Sequence, residues 1–71
     1  MNKKLYFTVE IGIEDTEYIT GNKTVNVYEI VENIPNQILS FECGNEDNTK
    51  SEILDNLDSD IYPDNVELIQ L

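Results

Sequence analysis

The stretch "LYFTVEIGIE", residues 5–14, decides the fold. Its apolar and polar side chains alternate strictly, with one parity made of Leu5, Phe7, Val9, Ile11 and Ile13 and the other of Tyr6, Thr8, Glu10, Gly12 and Glu14. A period of two residues places the apolar set on one face of an extended chain and the polar set on the other. The stretch therefore predicts a strand with one face in the core.

A second strand is predicted after a reversal of the chain. Gly21 and Asn22 are the residue types that turns prefer, so we place the reversal there. The following "TVNVYEIVE", residues 24–32, is rich in β-branched residues, as strands are. Its alternation breaks between Val27 and Tyr28, which indicates a bulge or a local twist.

Residues 37–43, "QILSFEC", fit two structures. As a strand, which the short apolar run favours, they place Gln37, Leu39, Phe41 and Cys43 on one face. As a short helix they would lie between Pro35 and Gly44, which are a helix-start and a helix-stop residue. In both cases "NIPN", residues 33–36, is predicted to be a turn.

One helix is predicted from Thr49 to a point before Pro63. "TKSE", residues 49–52, fits a capping box in which Thr49 accepts from the backbone and Glu52 reaches back. The helix would direct four apolar side chains inward: Ile53, Leu54, Leu57 and Ile61. "DNVELIQL", residues 64–71, then turns and gives the last strand.

The order β-β-β-α-β predicts a small α+β fold in one domain, residues 1–71. Three antiparallel strands form a meander, and one helix packs on one of its faces. The strand after the helix should run parallel to the first strand and lie beside it. A single helix would leave the other sheet face open.

Negative charge is the unusual feature of the composition. Fifteen acidic residues and four lysines give a net charge of −11, and Arg, His, Trp and Ala do not occur. Nine Asn and nine Ile are typical of an AT-rich coding sequence, which would also favour Lys codons. Since Lys is scarce, the acidity indicates selection for charge, and its self-repulsion has a cost in stability. The alternative is that the acidic residues form a solvated surface that serves only solubility.

The composition argues against several function classes. A chain this acidic is repelled by nucleic acid and by anionic membranes. Without His, the single Cys43 has no partner for nucleophilic catalysis or zinc binding, and no glycine-rich phosphate loop occurs. Calcium loops starting at Asp58 or Asn45 fail, because Pro63 and Lys50 stand where glycine is needed. We expect no enzyme, no metal and no cofactor.

The acidic half, residues 42–71, is the candidate binding surface. It holds nine acidic residues and one lysine, so its net charge is −8. Carboxylates three residues apart on a helix lie about 5–6 Å from each other, so a row of them could imitate a nucleic-acid backbone. The candidate partner-binding residues are Glu46, Asp47, Glu52, Asp55, Asp58, Asp60, Asp64 and Glu67.

Tyr6 and Tyr28 form a candidate secondary interface, because exposed tyrosines anchor many protein interfaces. The alternative is that they only cover sheet edges. If the sheet has one open face, that face could pair two copies of the chain or bind a different protein.

In size, acidity and mixed α/β pattern the whole chain resembles small phage-encoded inhibitors, including anti-CRISPR proteins and DNA mimics. The resemblance implies an inhibitor from a phage or mobile element, acting in the cytoplasm of a low-GC bacterium on the basic groove of a host defence nuclease. The alternative is an interaction module, such as an immunity or antitoxin-like protein or an accessory subunit, which docks through its open sheet face. The start of the chain shows no secretion signal, because Glu10 and Glu14 interrupt the apolar run after Lys3 and Lys4.

Overall fold

The computed structural model describes residues 3–13, 19–62 and 66–71. Four strands and one helix follow one another along the chain: β1 (Lys4–Ile13), β2 (Ile19–Val31), β3 (Ile34–Gly44), α1 (Thr49–Asn56) and β4 (Glu67–Gln70). The strands form one mixed sheet in the order β3-β2-β1-β4. β1, β2 and β3 pair antiparallel, while β4 pairs parallel with β1. The predicted order and the predicted place of the last strand are confirmed.

The core lies between the sheet and α1. Its fully buried side chains come from three elements: Leu5 and Phe7 of β1, Val25 and Val27 of β2, and Ile53 of α1. The alternation predicted for β1 is confirmed for residues 5–9, where Leu5 and Phe7 are buried and Val9 is half-buried. Ile11 is 57% exposed and lies outside the core, and the side chains of residues 12–14 lie outside the described part of the chain. One apolar face of the sheet and one apolar turn of helix therefore define the fold. We call the face of the sheet that packs against α1 the inner face.

The β2–β3 hairpin turns at Glu32 and Asn33, which have φ values of 52° and 68°. Two successive residues with positive φ are the mark of a type I′ turn, which matches the twist of a hairpin. The predicted turn at residues 33–36 is therefore displaced toward the N-terminus. Pro35 lies within β3, where it pairs with Ile30. A proline is tolerated there because β3 is an edge strand.

Residues 37–43 form part of β3, so the strand alternative is confirmed. The register shifts between Val27 and Tyr28, as the broken alternation predicted, and Ile38 is the extra residue on the facing strand. Because of this bulge, Gln37 pairs with Tyr28 and is exposed, whereas Leu39 remains on the inner face. The prediction that Gln37 shares a face with Leu39 is wrong.

Gly21 and Asn22 do not reverse the chain. Both lie inside β2, where Asn22 pairs with Gly44, and the Asn45 N–H donates to the Gly21 carbonyl at 2.8 Å. The connection between β1 and β2 falls at residues 14–18, outside the described residues. A Gly-Asn pair can also continue a strand when its backbone groups are used by the neighbouring strand.

The helix is shorter than predicted, and its cap is different. Asn48, not Thr49, is the N-cap: its side-chain oxygen accepts from the Ser51 N–H at 3.0 Å. α1 ends at Asn56, because Leu57 takes an extended backbone. Ile61 therefore lies beyond the helix and is 60% exposed, and Leu54 is 40% exposed. The predicted inward placement of these two residues is wrong, while Leu57 packs against the core.

Candidate functional site

The candidate site on the helix side of the molecule is the acidic segment, residues 46–60, which joins β3 to the turn after α1. Six of the eight predicted partner-binding residues belong to it, and Lys50 is its only basic residue. The other two lie elsewhere. Glu67 is exposed on β4, and Asp64 lies outside the described residues.

Lys23 holds the start of the acidic segment against the sheet. Its side chain is only 8% exposed, and its ammonium donates to the Asp47 carbonyl at 2.7 Å and to the Asn45 carbonyl at 3.4 Å. A buried ammonium group is costly unless such oxygens replace its water. β2 thus uses one of the four lysines to fix the backbone of an acidic loop.

Asp47 closes this loop on itself. One of its carboxylate oxygens accepts from the Gly44 N–H at 2.8 Å, and its own N–H donates to the Gly44 carbonyl at 3.0 Å. A Cβ at Gly44 would lie 3.0 Å from the same carboxylate oxygen, so a larger residue there would be crowded. The Asp47 carboxylate therefore shapes the loop in addition to contributing charge.

On α1, Asp55 is exposed and Glu52 is half-buried. The two are three residues apart, so they lie on neighbouring positions of the helix surface. Because α1 ends at Asn56, Asp58 cannot extend this row as a helical residue. The predicted helical row is reduced to one pair of carboxylates, followed by a differently shaped turn.

Asp58 builds the turn that follows. Its carboxylate accepts from the Asp60 N–H at 3.0 Å, and its carbonyl accepts from the Ile61 and Tyr62 N–H groups. Aspartate commonly forms such local bonds with the backbone two residues on. Glu46, Asp55 and Asp60 are exposed, so their carboxylates can meet a partner.

Tyr62 anchors the end of this turn to the sheet. Its hydroxyl donates to the Glu29 carboxylate at 3.0 Å, and the Lys3 ammonium lies 3.1 Å from the same oxygen. That ammonium also lies 5.0 Å from the centre of the Tyr62 ring. Burial and then the neighbouring Glu29 raise the pKa of Tyr62 above its ordinary value of 10.0. Tyr62 therefore has a structural role and does not belong to the candidate interface formed by Tyr6 and Tyr28.

The opposite side of the sheet, which we call the outer face, has a different character. Tyr6 of β1 and Tyr28 of β2 are direct register partners, flanked by Gln37 of β3 and Ile69 of β4. The neighbouring row is also uncharged: Thr8, Asn26 and Ser40. In the part of the chain that the structure describes, the only helix packs on the inner face.

An open groove of about 560 Å³ crosses the outer face. Its lining consists of Tyr6, Tyr28, Ile30, Pro35 and Leu71. The sequence identified the two tyrosines but not the three apolar residues. Strand parity could have found two of them, since Ile30 follows Tyr28 by two residues and Leu71 lies two residues beyond Ile69.

Cys43 is half-buried on β3 and pairs with Lys23. Burial raises the pKa of its thiol above the ordinary value of 9.0, more than the nearby Lys23 lowers it. A raised pKa keeps the thiol protonated and therefore weakly nucleophilic. The residue packs against the core.

Within residues 3–13, 19–62 and 66–71, no three thiol or carboxylate side chains converge in a way that could hold a metal ion. No helix in these ranges is long and apolar enough to cross a membrane. No family model, curated protein or solved structure matches the chain. Its function must therefore be argued from its two faces, one carrying the acidic segment and the other uncharged at its centre.

Proposed function

We propose that this chain is a small acidic inhibitor of the kind that phages and mobile elements encode. Its acidic segment would bind the basic nucleic-acid groove of a host enzyme, such as a defence nuclease, and compete with DNA or RNA. The observation that carries the proposal is the exposure of Glu46, Asp55 and Asp60 in a segment of fifteen residues with one lysine.

The way the segment is held supports this role. Lys23 fixes its beginning and Tyr62 its end, so the carboxylates between them are attached to the sheet at both sides. A charged surface that is ordered before binding loses less conformational entropy in the complex. Electrostatic attraction between this surface and a basic groove would also accelerate association at low ionic strength.

Capture from bacterial lysate, followed by competition, tests the proposal. The chain is immobilised and incubated with lysate of a low-GC bacterium, and bound proteins are then released by a 20-base-pair DNA duplex at constant ionic strength. We expect nucleic-acid-binding enzymes in this eluate. A salt gradient run in parallel should release the same enzymes, because their contacts are between opposite charges.

A matched control makes the result specific. The chain with Asp55→Asn and Asp60→Asn should retain less of each captured enzyme, whereas Glu32→Gln with Glu42→Gln, which removes the same charge elsewhere, should retain nearly as much. If the DNA duplex releases nothing, or if both variants retain the captured enzymes equally, the groove-binding proposal is refuted.

A further inference from the structure

We infer that two copies of this chain associate through their outer faces, with the acidic segments directed away from each other. The inference is independent of the proposed function, since it concerns the opposite side of the sheet. It depends on three observations: the lack of charge at the centre of the outer face, the placement of charge at its two ends, and the apolar residues along β4.

The centre of the outer face is suited to burial. On a chain with fifteen acidic residues, the two central rows contain none. The polar row is already satisfied in part, because the Ser40 hydroxyl donates to the Asn26 side-chain oxygen at 2.8 Å. Tyr6 and Tyr28 are of the residue type enriched in interface centres, from which charged residues are depleted.

The two ends of the outer face differ in charge. Glu10 and Glu42 flank Thr24 at one end, so that end is acidic, whereas at the other end Lys4 of β1 is the register partner of Glu67 of β4. A two-fold axis parallel to the strands would bring the two acidic ends together. The alternative two-fold axis lies in the plane of the sheet, perpendicular to the strands and level with Phe7. This axis places each Lys4 over Glu10 of the second copy. Such self-complementarity is what an interface between two identical copies requires.

The same axis also brings apolar residues together at the β4 edge of the sheet. Because Tyr6 pairs with Ile69 and Phe7 with Gln70, Leu71 lies one residue further along, level with Thr8. The two-fold rotation therefore places Ile69 against Leu71 of the second copy. Leu71 is 70% exposed in the single chain, so this contact would remove a large apolar side chain from water.

The size of the face indicates a weak dimer. The seven residues of β2 from Thr24 to Ile30 span about 23 Å and four strands span about 19 Å, so each copy contributes roughly 450 Å² in projection. The total of about 900 Å² is below the 1,200–2,000 Å² of stable complexes and lies in the range of weak or transient associations.

Sedimentation equilibrium of the full chain at 5–500 µM tests the inference. In 150 mM NaCl we expect the average mass to rise from the 8.2 kDa of one chain toward twice that value. Lowering NaCl to 20 mM should weaken the dimer, because screening of the repulsion between two chains of charge −11 is lost. Binding to a basic groove has the opposite salt dependence, so the two proposals can fail separately.

Charge exchange supplies the specific control. Lys4→Glu and Glu10→Lys should each raise the dimer Kd about tenfold, because each substitution occurs at two symmetric contacts. The variant that carries both substitutions should have the Kd of the wild type again. Leu71→Asp should abolish the dimer while leaving the circular dichroism spectrum unchanged. A wild-type chain that stays monomeric at 500 µM overturns the inference and leaves the face to a different protein. If neither the single charge substitutions nor Leu71→Asp raise the dimer Kd, the inference is also overturned.

Discussion

Replacing Ile53 by alanine tests how α1 is held on the sheet. Ile53 is 0% exposed and is the only fully buried residue of the helix. The substitution removes three carbon atoms, worth about 2.4 kcal/mol in transfer free energy, and the remaining cavity adds to this loss. We therefore expect the free energy of unfolding to fall by about 3–4 kcal/mol.

That loss is large for a chain of this length. A domain near 70 residues seldom has more than about 3–5 kcal/mol of stability from its core alone. With a urea m-value of about 1 kcal/mol per molar, the unfolding midpoint should fall by roughly 3 M. Part of the variant should be unfolded without denaturant, as measured by circular dichroism at 25 °C.

Leu54→Ala is the matched control, because it removes the same number of carbon atoms from the adjacent residue. Leu54 is 40% exposed, so water can fill the space and the cavity contribution is small. We expect a loss of about 1 kcal/mol. Equal losses for the two variants, or a loss below about 1 kcal/mol for Ile53→Ala, would show that α1 is not anchored through Ile53.

Three further predictions concern the residues that hold the acidic segment and the hairpin. Lys23→Met retains the buried stem but removes the bonds to the loop carbonyls, so urea unfolding should show a loss of about 1.5–3 kcal/mol. Stability should fall as the pH rises above 9, because the folded state holds the protons of Cys43 and Tyr62 at pH values where the unfolded chain releases them. Thermal unfolding of Tyr62→Phe should depend less on pH between 9 and 11, and an unchanged dependence would contradict that assignment. Glu32→Asn combined with Asn33→Gly supplies the preferred residues of a type I′ turn and should raise stability by about 0.5–1 kcal/mol, with no gain if the turn is of another type.

The elements of the fold could be predicted because periodicity reports burial directly. The alternation in residues 5–9 and the broken alternation at Val27 and Tyr28 both correspond to features of the sheet. The boundaries could not be predicted in the same way, because they depend on single hydrogen bonds. Asn48 and Thr49 are both good N-caps, and only the bond to the Ser51 N–H distinguishes them.

The candidate site was predictable in charge but not in shape. The sequence locates the acidic half, yet it does not show that the carboxylates of Asp47 and Asp58 accept hydrogen bonds from the backbone. It also gives no indication that Lys23 is buried beneath the loop, since a lysine in a strand is normally exposed. The Lys23 contacts join residues more than twenty positions apart, whereas the Asp47 and Asp58 bonds are local and depend on the backbone geometry of their turns.

The central claim is that the exposed carboxylates of the acidic segment form the binding surface. The most direct measurement compares two triple charge reversals by calorimetric titration against a nucleic-acid-binding enzyme captured from lysate. One variant carries lysine at Glu46, Asp55 and Asp60. The other carries lysine at three exposed glutamates outside the segment and outside the predicted partner-binding set: Glu10, Glu32 and Glu42. Each reversal changes the charge by +2, so both variants go from −11 to −5.

Because the two variants have the same net charge, only the position of the charge distinguishes them. We predict that the first binds about a hundredfold more weakly than the wild type, and the second within about tenfold of it, with both retaining the wild-type circular dichroism spectrum. Equal weakening of the two variants, or unchanged binding by the first, would contradict the account.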